Sequence, residues 1–407
     1  MKCTFLAALA LGCAFSSALV AEEAAFTSLK PLLGDANSFA GFRQLGGKAQ
    51  YGIKDGVITG TSVPKDPNSF MATEKEYGDF ALEYEFKIDP KLNSGVQIRS
   101  HSRPEYRKGQ VHGYQIEIDP SARAWTAGLY EEGRRGWLQD LKGSDAARVA
   151  FKQGDWNRVR VLAVGDSIKT WLNGVPATDA RDAMEQGGFI AFQVHGVGND
   201  ADKVGTQVQW REIKLADLGR HEWQPLFDGT SLQGWNTLPG GKWEVKDGVI
   251  HGTSTADEPR HGLLISEKPY RDFTVRLKFK VNKGNSGFYF RAQKVDSAVA
   301  VHGFQAEICG DDETGGLYET GGRGWVAQTD KEAMTKNKIC RPGEWNDLWV
   351  SAHGKRLVVH VNGHKTADIT DEAQTRAEGF IALQLHDKQD MDVEFKDIAL
   401  LVPVKDK

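Results

Sequence analysis

From residue 80 to 87 apolar and other side chains alternate: Phe80, Leu82, Tyr84 and Phe86 are interleaved with Ala81, Glu83, Glu85 and Lys87. The pattern returns at Phe273, Val275, Leu277 and Phe279, set against Thr274, Arg276, Lys278 and Lys280. A period of two puts each set on its own face of a strand, so both stretches predict half-exposed antiparallel β-strands. Turn chemistry separates such runs at Lys54-Asp55-Gly56 and Asn93-Ser94-Gly95. Asn173-Gly174 and Asn362-Gly363 are hairpin signals between two strands. Brief helical patterning is expected at Asp179 to Gln186 and Asp371 to Ala377. The chain as a whole predicts an all-β fold of antiparallel sandwich or jelly-roll type.

The pattern occurs twice. KDGVITGTS (54–62) returns as KDGVIHGTS (246–254), NSGVQIR (93–99) as NSGFYFR (285–291), and HGYQIEI (112–118) as HGFQAEI (302–308). GLYEEGRRGW (128–137) returns as GLYETGGRGW (316–325), GDWN (154–157) as GEWN (343–346), and GFIAFQVH (188–195) as GFIALQLH (379–386). The order is unchanged, and the offset is far longer than the roughly 20–50 residues of a solenoid repeat, so two whole domains are expected. Their expected bounds are 22–218 and 226–407, joined by a short polar linker, 219–225.

Composition narrows the classes of function. The formal charge of −4 is spread along 407 residues, with no basic stripe for nucleic acid. Lys2, the apolar run Phe5 to Phe15 and the small residues Ser16 to Ala21 read as a secretory signal, with cleavage between Ala18 and Ala21. It is too short for a membrane span. Lipid anchoring through Cys13 is a competing reading. Either way the chain is expected in the periplasm or outside the cell. Cys309 and Cys340 then remain as a disulfide candidate.

Several strands carry polar faces too specific for bulk solvent. Gln97 and Arg99 share one side of theirs; Gln115, Glu117 and Asp119 share another, as do Gln193 and His195. The second copy offers Tyr289 and Arg291, Gln305 and Glu307, and Gln384 and His386. Gathered in one curved sheet, these sides would line a concave surface. Trp171 or His360, from the strand before the Asn-Gly turn, is expected to join them. Hydrogen-bonding groups beside an aromatic face suit a sugar. His112 and His302 are candidates of either structural or chemical role. The Gly-rich loops add Tyr130 and Arg134 in the first copy and Tyr318 and Arg323 in the second. No nucleophile elbow, nucleotide-binding loop or zinc-protease helix is present in the sequence.

The motif series, found twice in fixed order, resembles the 3-keto-disaccharide hydrolase family over nearly all of each copy. That resemblance implies a concanavalin A-like jelly roll and cleavage of a glycosidic bond in a sugar oxidised at C3. Such a substrate needs a base for the acidified C2 hydrogen, a donor for the developing oxyanion, and a proton for the leaving group. The expected catalytic groups are Glu117, His195 and Arg99 in the first copy and Glu307, His386 and Arg291 in the second, with Arg on the oxyanion. A divalent metal such as calcium or zinc in place of Arg is an alternative. A non-catalytic, lectin-like carbohydrate binder is the competing function.

Overall fold

The computed structural model describes residues 22–405. The expected signal segment, with Cys3 and Cys13, lies outside the described residues. The chain divides into two units: one up to His221 together with the residues from Pro403 onward, the other Glu222–Val402.

Each unit is a sandwich of two antiparallel sheets. In the first unit the back sheet runs Val175–Arg181, Ser167–Leu172, Asn157–Val164, Asp79–Ile88, Gln207–Gly219, Val57–Thr61, Gln50–Lys54. The front sheet runs Gly136–Gln139, Leu129–Glu132, His112–Ile118, Ser94–His101, Phe189–Val194, Ser69–Thr73, Phe42–Gly46. The alternation seen in the sequence builds the core. Phe80, Leu82, Tyr84 and Phe86 of the back sheet meet Val96, Ile98, Ile116 and Phe192 of the front sheet, all excluded from water. Each such side chain contributes about 1.5–3 kcal/mol of burial.

The second unit repeats the plan. Its front sheet is Trp235–Leu238, Gly262–Ser266, Phe380–Leu385, Ser286–Lys294, Val301–Ile308, Leu317–Thr320, Gly324–Ala327. Phe273, Val275, Leu277 and Phe279 of its back sheet pack on Phe288, Phe290, Phe304 and Leu383.

The structure changes three expectations. The segment 219–225 is not free linker: Gln207–Gly219 ends in it, and His221–Pro225 is itself a strand paired with Met391–Pro403. Neither 179–186 nor 371–377 is helical. Val175–Arg181 is a strand whose ladder with Ser167–Leu172 overrides its local charge pattern, and Asp371 is a buried residue organising a loop. Among the described residues helix forms instead at 22–25, Asp145–Val149 and Lys331–Lys336. Finally, Cys309 and Cys340 are free thiols. Cys309 donates to Asp311 Oδ1 at 2.6 Å, and burial pushes its thiol well above the ordinary range.

Candidate functional site

The Asn-Ser-Gly motif shows how each front sheet builds its outer face. Ser94 Oγ donates to the Gln193 carbonyl at 2.6 Å, and Ser286 Oγ to that of Gln384 at 2.7 Å, so the serine ties two strands together. The glycine lies between a glutamine and a glutamate. Gly95 pairs with Glu117 on one side, and the Phe192–Val96 pairing places it beside Gln193 on the other. A Cβ there would lie 2.5 Å from the Gln115 side chain, and one at Gly287 2.5 Å from Gln305, so only glycine lets the glutamine lie flat across the strand. The asparagine holds the carboxylate. Asn93 Nδ2 donates to Glu117 Oε1 at 2.7 Å, and Asn285 Nδ2 to Glu307 Oε1 at 2.6 Å. Neither asparagine was among the expected site residues, although the motif recurred in both copies.

In the first unit the structure brings together Gln97, Gln115, Glu117, Gln193 and Tyr130. Gln97, Gln115 and Tyr130 stand side by side in one row across three strands. Gln97 Nε2 donates to Gln115 Oε1 at 2.5 Å, and Gln115 Nε2 to Glu117 Oε2 at 2.9 Å. Arg123 approaches Glu117 at 3.7 Å and lies over the Trp125 and Trp137 rings. Burial raises the Glu117 carboxyl above its ordinary range, against the bonds from Asn93 and Gln115. Both amide atoms of Gln193 are buried and lack a partner among the described residues. His195 is exposed at the rim, its Nδ1 facing the Gly196 carbonyl at 2.8 Å.

In the second unit the equivalent face is a cleft of about 330 Å³. It is lined among others by Tyr289, Gln305, Glu307, Tyr318, Gln384 and His386. Gln305 Nε2 bridges Glu307 Oε2 at 2.8 Å and Gln384 Oε1 at 3.3 Å. The Tyr289 hydroxyl meets Thr320 Oγ1 at 3.0 Å, and the Tyr318 ring stands edge-on to Trp325. Burial pushes the Glu307 carboxyl up to about 7; Asn285 opposes this, while Glu313 and Asp311 add to it. Arg123 has no cationic counterpart there, because the loop after Ile308 is shorter and carries Asp311 and Glu313 instead. A buried acid that titrates near neutrality, in a cleft with amide donors and aromatic rings, is equipped to take up and return a proton. His261 also lines the cleft, and sequence reasoning missed it. Burial, with His386 beside it, holds its imidazole down to about 4.

The model of the 3-keto-alpha-glucoside-1,2-lyase-like domain matches residues 29–216 and again 222–401. The chain belongs to this family, in two copies. No curated relative matches. Among solved structures, a putative glycosyl hydrolase from Parabacteroides distasonis is 20% identical, with a TM-score of 0.34 over 45% of this chain and 94% of its own. The carbohydrate binding module CBM66 from Bacillus subtilis is 18% identical, with a TM-score of 0.33 over 42% of this chain and 98% of its own.

In this tandem lyase-like chain several expected residues lie away from the two faces. Arg99 and Arg291 are the largest correction. Each sits in a β-bulge with positive φ, 45° and 47°, which turns the side chain off the outer face. Arg99 is fully buried. It donates to the carbonyls of Gly78 (2.7 Å) and Gly165 (2.6 Å) and pairs with Asp79 at 3.0 Å. Arg291 makes the same kind of contacts with Arg271, Gly354 and Asp272. Neither is available to an oxyanion. Arg134 is held by Glu131 (2.6 Å) and Glu185 (2.7 Å), and Arg323 by Glu319 and Asp371, so the loop charges pair among themselves. Trp171 and His360 lie on back-sheet strands, against Phe26 and Trp349 respectively.

Asp119 organises its own turn. It accepts from Ser121 N, Arg123 Nε and Trp125 N, which hold it below the ordinary range despite burial. His112 is buried against the Tyr106 ring, its Nδ1 facing the Gln110 carbonyl at 2.9 Å. The His302 ring lies over Gly321.

Proposed function

We propose that the second half cleaves the glycosidic bond of a 3-keto-glycoside by β-elimination followed by addition of water, and that the first half binds carbohydrate. The observation that carries this reading is Glu307. Its carboxyl is buried at the cleft floor, held by two side-chain amides, and titrates near 7.

A ketone at C3 acidifies the C2 hydrogen. The Glu307 carboxylate takes that proton, and the C–H electrons form the C2–C3 enolate. The Gln384 amide and the neutral Tyr289 hydroxyl are the donors at hand for its oxygen. As the ketone re-forms, C1 and C2 become doubly bonded and the C1–O bond breaks. The departing oxygen takes its proton from the carboxylic acid that Glu307 has become. Water then adds across C1 and C2, its hydroxyl to C1 and its proton to C2, to give the free 3-keto sugar. Tyr318 and Trp325 offer ring faces to the pyranose.

The first half is read as a binding face for two reasons. Arg123 accompanies Glu117 and favours its ionised form, which works against the return of a proton to the leaving oxygen. Gln193 keeps two buried amide atoms without a partner among the described residues, polar groups that a ligand displacing the cover of this face would satisfy. Residues 1–21 fit this reading as an export signal that brings the chain to carbohydrate outside the cytoplasm.

The test is a substrate panel. With the full chain, 3-keto-glucosides and 3-keto-disaccharides are expected to release their aglycone, and the unoxidised parents are not, because their C2 hydrogen is beyond the reach of a carboxylate base. Equal cleavage of the parents would replace this mechanism with a two-carboxylate glycosidase. Binding without release from any member of the panel would leave a lectin.

A further inference from the structure

His261, His386 and Asp387 meet at the rim of the second half's cleft. His261 directly precedes the strand Gly262–Ser266, while His386 and Asp387 directly follow Phe380–Leu385. Antiparallel pairing of Gly262 with Leu385 brings the three together. One ligand atom of each lies within 4.8 Å of the others. Asp387 Oδ1 is 3.2 Å from His261 Nδ1 and 3.0 Å from His386 Nδ1, and the ring centroids are 4.5 Å apart. His386 Nδ1 faces the Asp387 carbonyl at 2.8 Å; with its proton donated there, the Nε2 lone pair is free to ligate. A backbone carbonyl holding the second nitrogen is the usual support of a metal-bound imidazole. Both rings line the cleft that contains Glu307.

A hydrogen-bonded polar cluster is the plainer explanation, and the first half shows why it is insufficient. There Asn68 stands where His261 does, just ahead of the matching strand, and Gly196 stands where Asp387 does. Asn68 Oδ1 accepts from Gly196 N at 2.9 Å, and Asp387 N stands 3.2 Å from His261 Nδ1, a long contact that gives way when the ring turns a lone pair to a metal. An asparagine and a glycine therefore suffice for the shared frame. The second half sets two imidazoles and a carboxylate on the same frame. The first half has no room for the carboxylate, since a Cβ at Gly196 would lie 2.6 Å from the Asp66 carbonyl oxygen.

We propose that His261, His386 and Asp387 bind one divalent transition-metal ion of the zinc or cobalt class, in the second half only, with open coordination positions toward the cleft. Two imidazoles and one carboxylate suit such an ion, whereas calcium takes six to eight oxygen ligands. Three protein ligands leave room for a substrate oxygen, so the ion would polarise the C3 carbonyl that lacks Arg291 as a partner. That role rests on the elimination reading; the binding does not.

The full chain, stripped with chelator, dialysed against Co²⁺ or Zn²⁺ and analysed for metal, is expected to retain one ion per chain, with Co²⁺ giving a visible ligand-field band. His261→Asn and Asp387→Gly, the residues of the first half, should each weaken retention at least ~10-fold, while His195→Ala leaves it at one. On the unaltered chain, Zn²⁺ should protect His261 and His386, and not His195, from diethylpyrocarbonate, which keeps the test decisive if a variant fails to fold. No retention, two ions per chain, or full retention by the His261→Asn/Asp387→Gly double variant would overturn the site. Retention without cleavage of any 3-keto-glycoside supports the site and removes only the elimination reading.

Discussion

Glu307→Gln is expected to lower release from a 3-keto-glycoside by about 10²–10⁴-fold, the usual loss on removing a general base. Glutamine keeps the size of the side chain and can still hydrogen-bond to Asn285 and Gln305, so the cleft should persist and the loss should fall on kcat more than on KM. Glu117→Gln is expected to leave turnover essentially unchanged and to weaken carbohydrate binding by the first half. The pH profile follows from the sign of the shift. The base is the carboxylate, so the wild-type rate should rise with pH through about 7, where burial has moved Glu307. That limb should vanish in Glu307→Gln. If Glu117→Gln abolished turnover instead, the two halves would have their roles reversed.

Arg99→Ala is expected to destabilise the first half by about 3–5 kcal/mol, because it takes the guanidinium from the buried Asp79 carboxylate, which keeps only Gly165 N and His221 Nδ1, and leaves the carbonyls of Gly78 and Gly165 without their donor. For a unit of this size each kcal/mol moves the midpoint by roughly 2–4 °C, so a shift of roughly 6–20 °C should be seen in thermal unfolding. Arg99→Lys should recover little. A single ammonium cannot serve the carbonyls of Gly78 and Gly165 and the Asp79 carboxylate in the way a planar guanidinium does. Were Arg99 a catalytic group instead, the same variants would lose turnover with an unmoved midpoint.

The sequence reveals much of this architecture and conceals some of its chemistry. Alternation from Phe80 to Phe86 and from Phe273 to Phe279 maps directly onto core-facing positions, and the duplicated motifs map onto two sandwiches. Parity also brought Gln97, Gln115, Glu117 and Gln193 to one face. It failed at Arg99 and Arg291, where a single residue in left-handed geometry reverses the facing of the side chain; nothing in NSGVQIR or NSGFYFR announces a bulge. Trp171 and His360 illustrate a second limit. Periodicity says which face of a strand a residue occupies, not which sheet the strand joins. His261 and Asp387 were legible only as differences between copies, at Asn68 against His261 and Gly196 against Asp387.

Elimination through C2–H, the central claim, is tested most directly with a 3-keto-glycoside deuterated at C2 and turned over by the full chain in ordinary water. The account predicts that the sugar isolated at early times has lost its C2 deuterium, since the deuteron taken by Glu307 leaves on the departing oxygen and water supplies the proton that C2 regains. A released sugar that retains all of its C2 deuterium would contradict it.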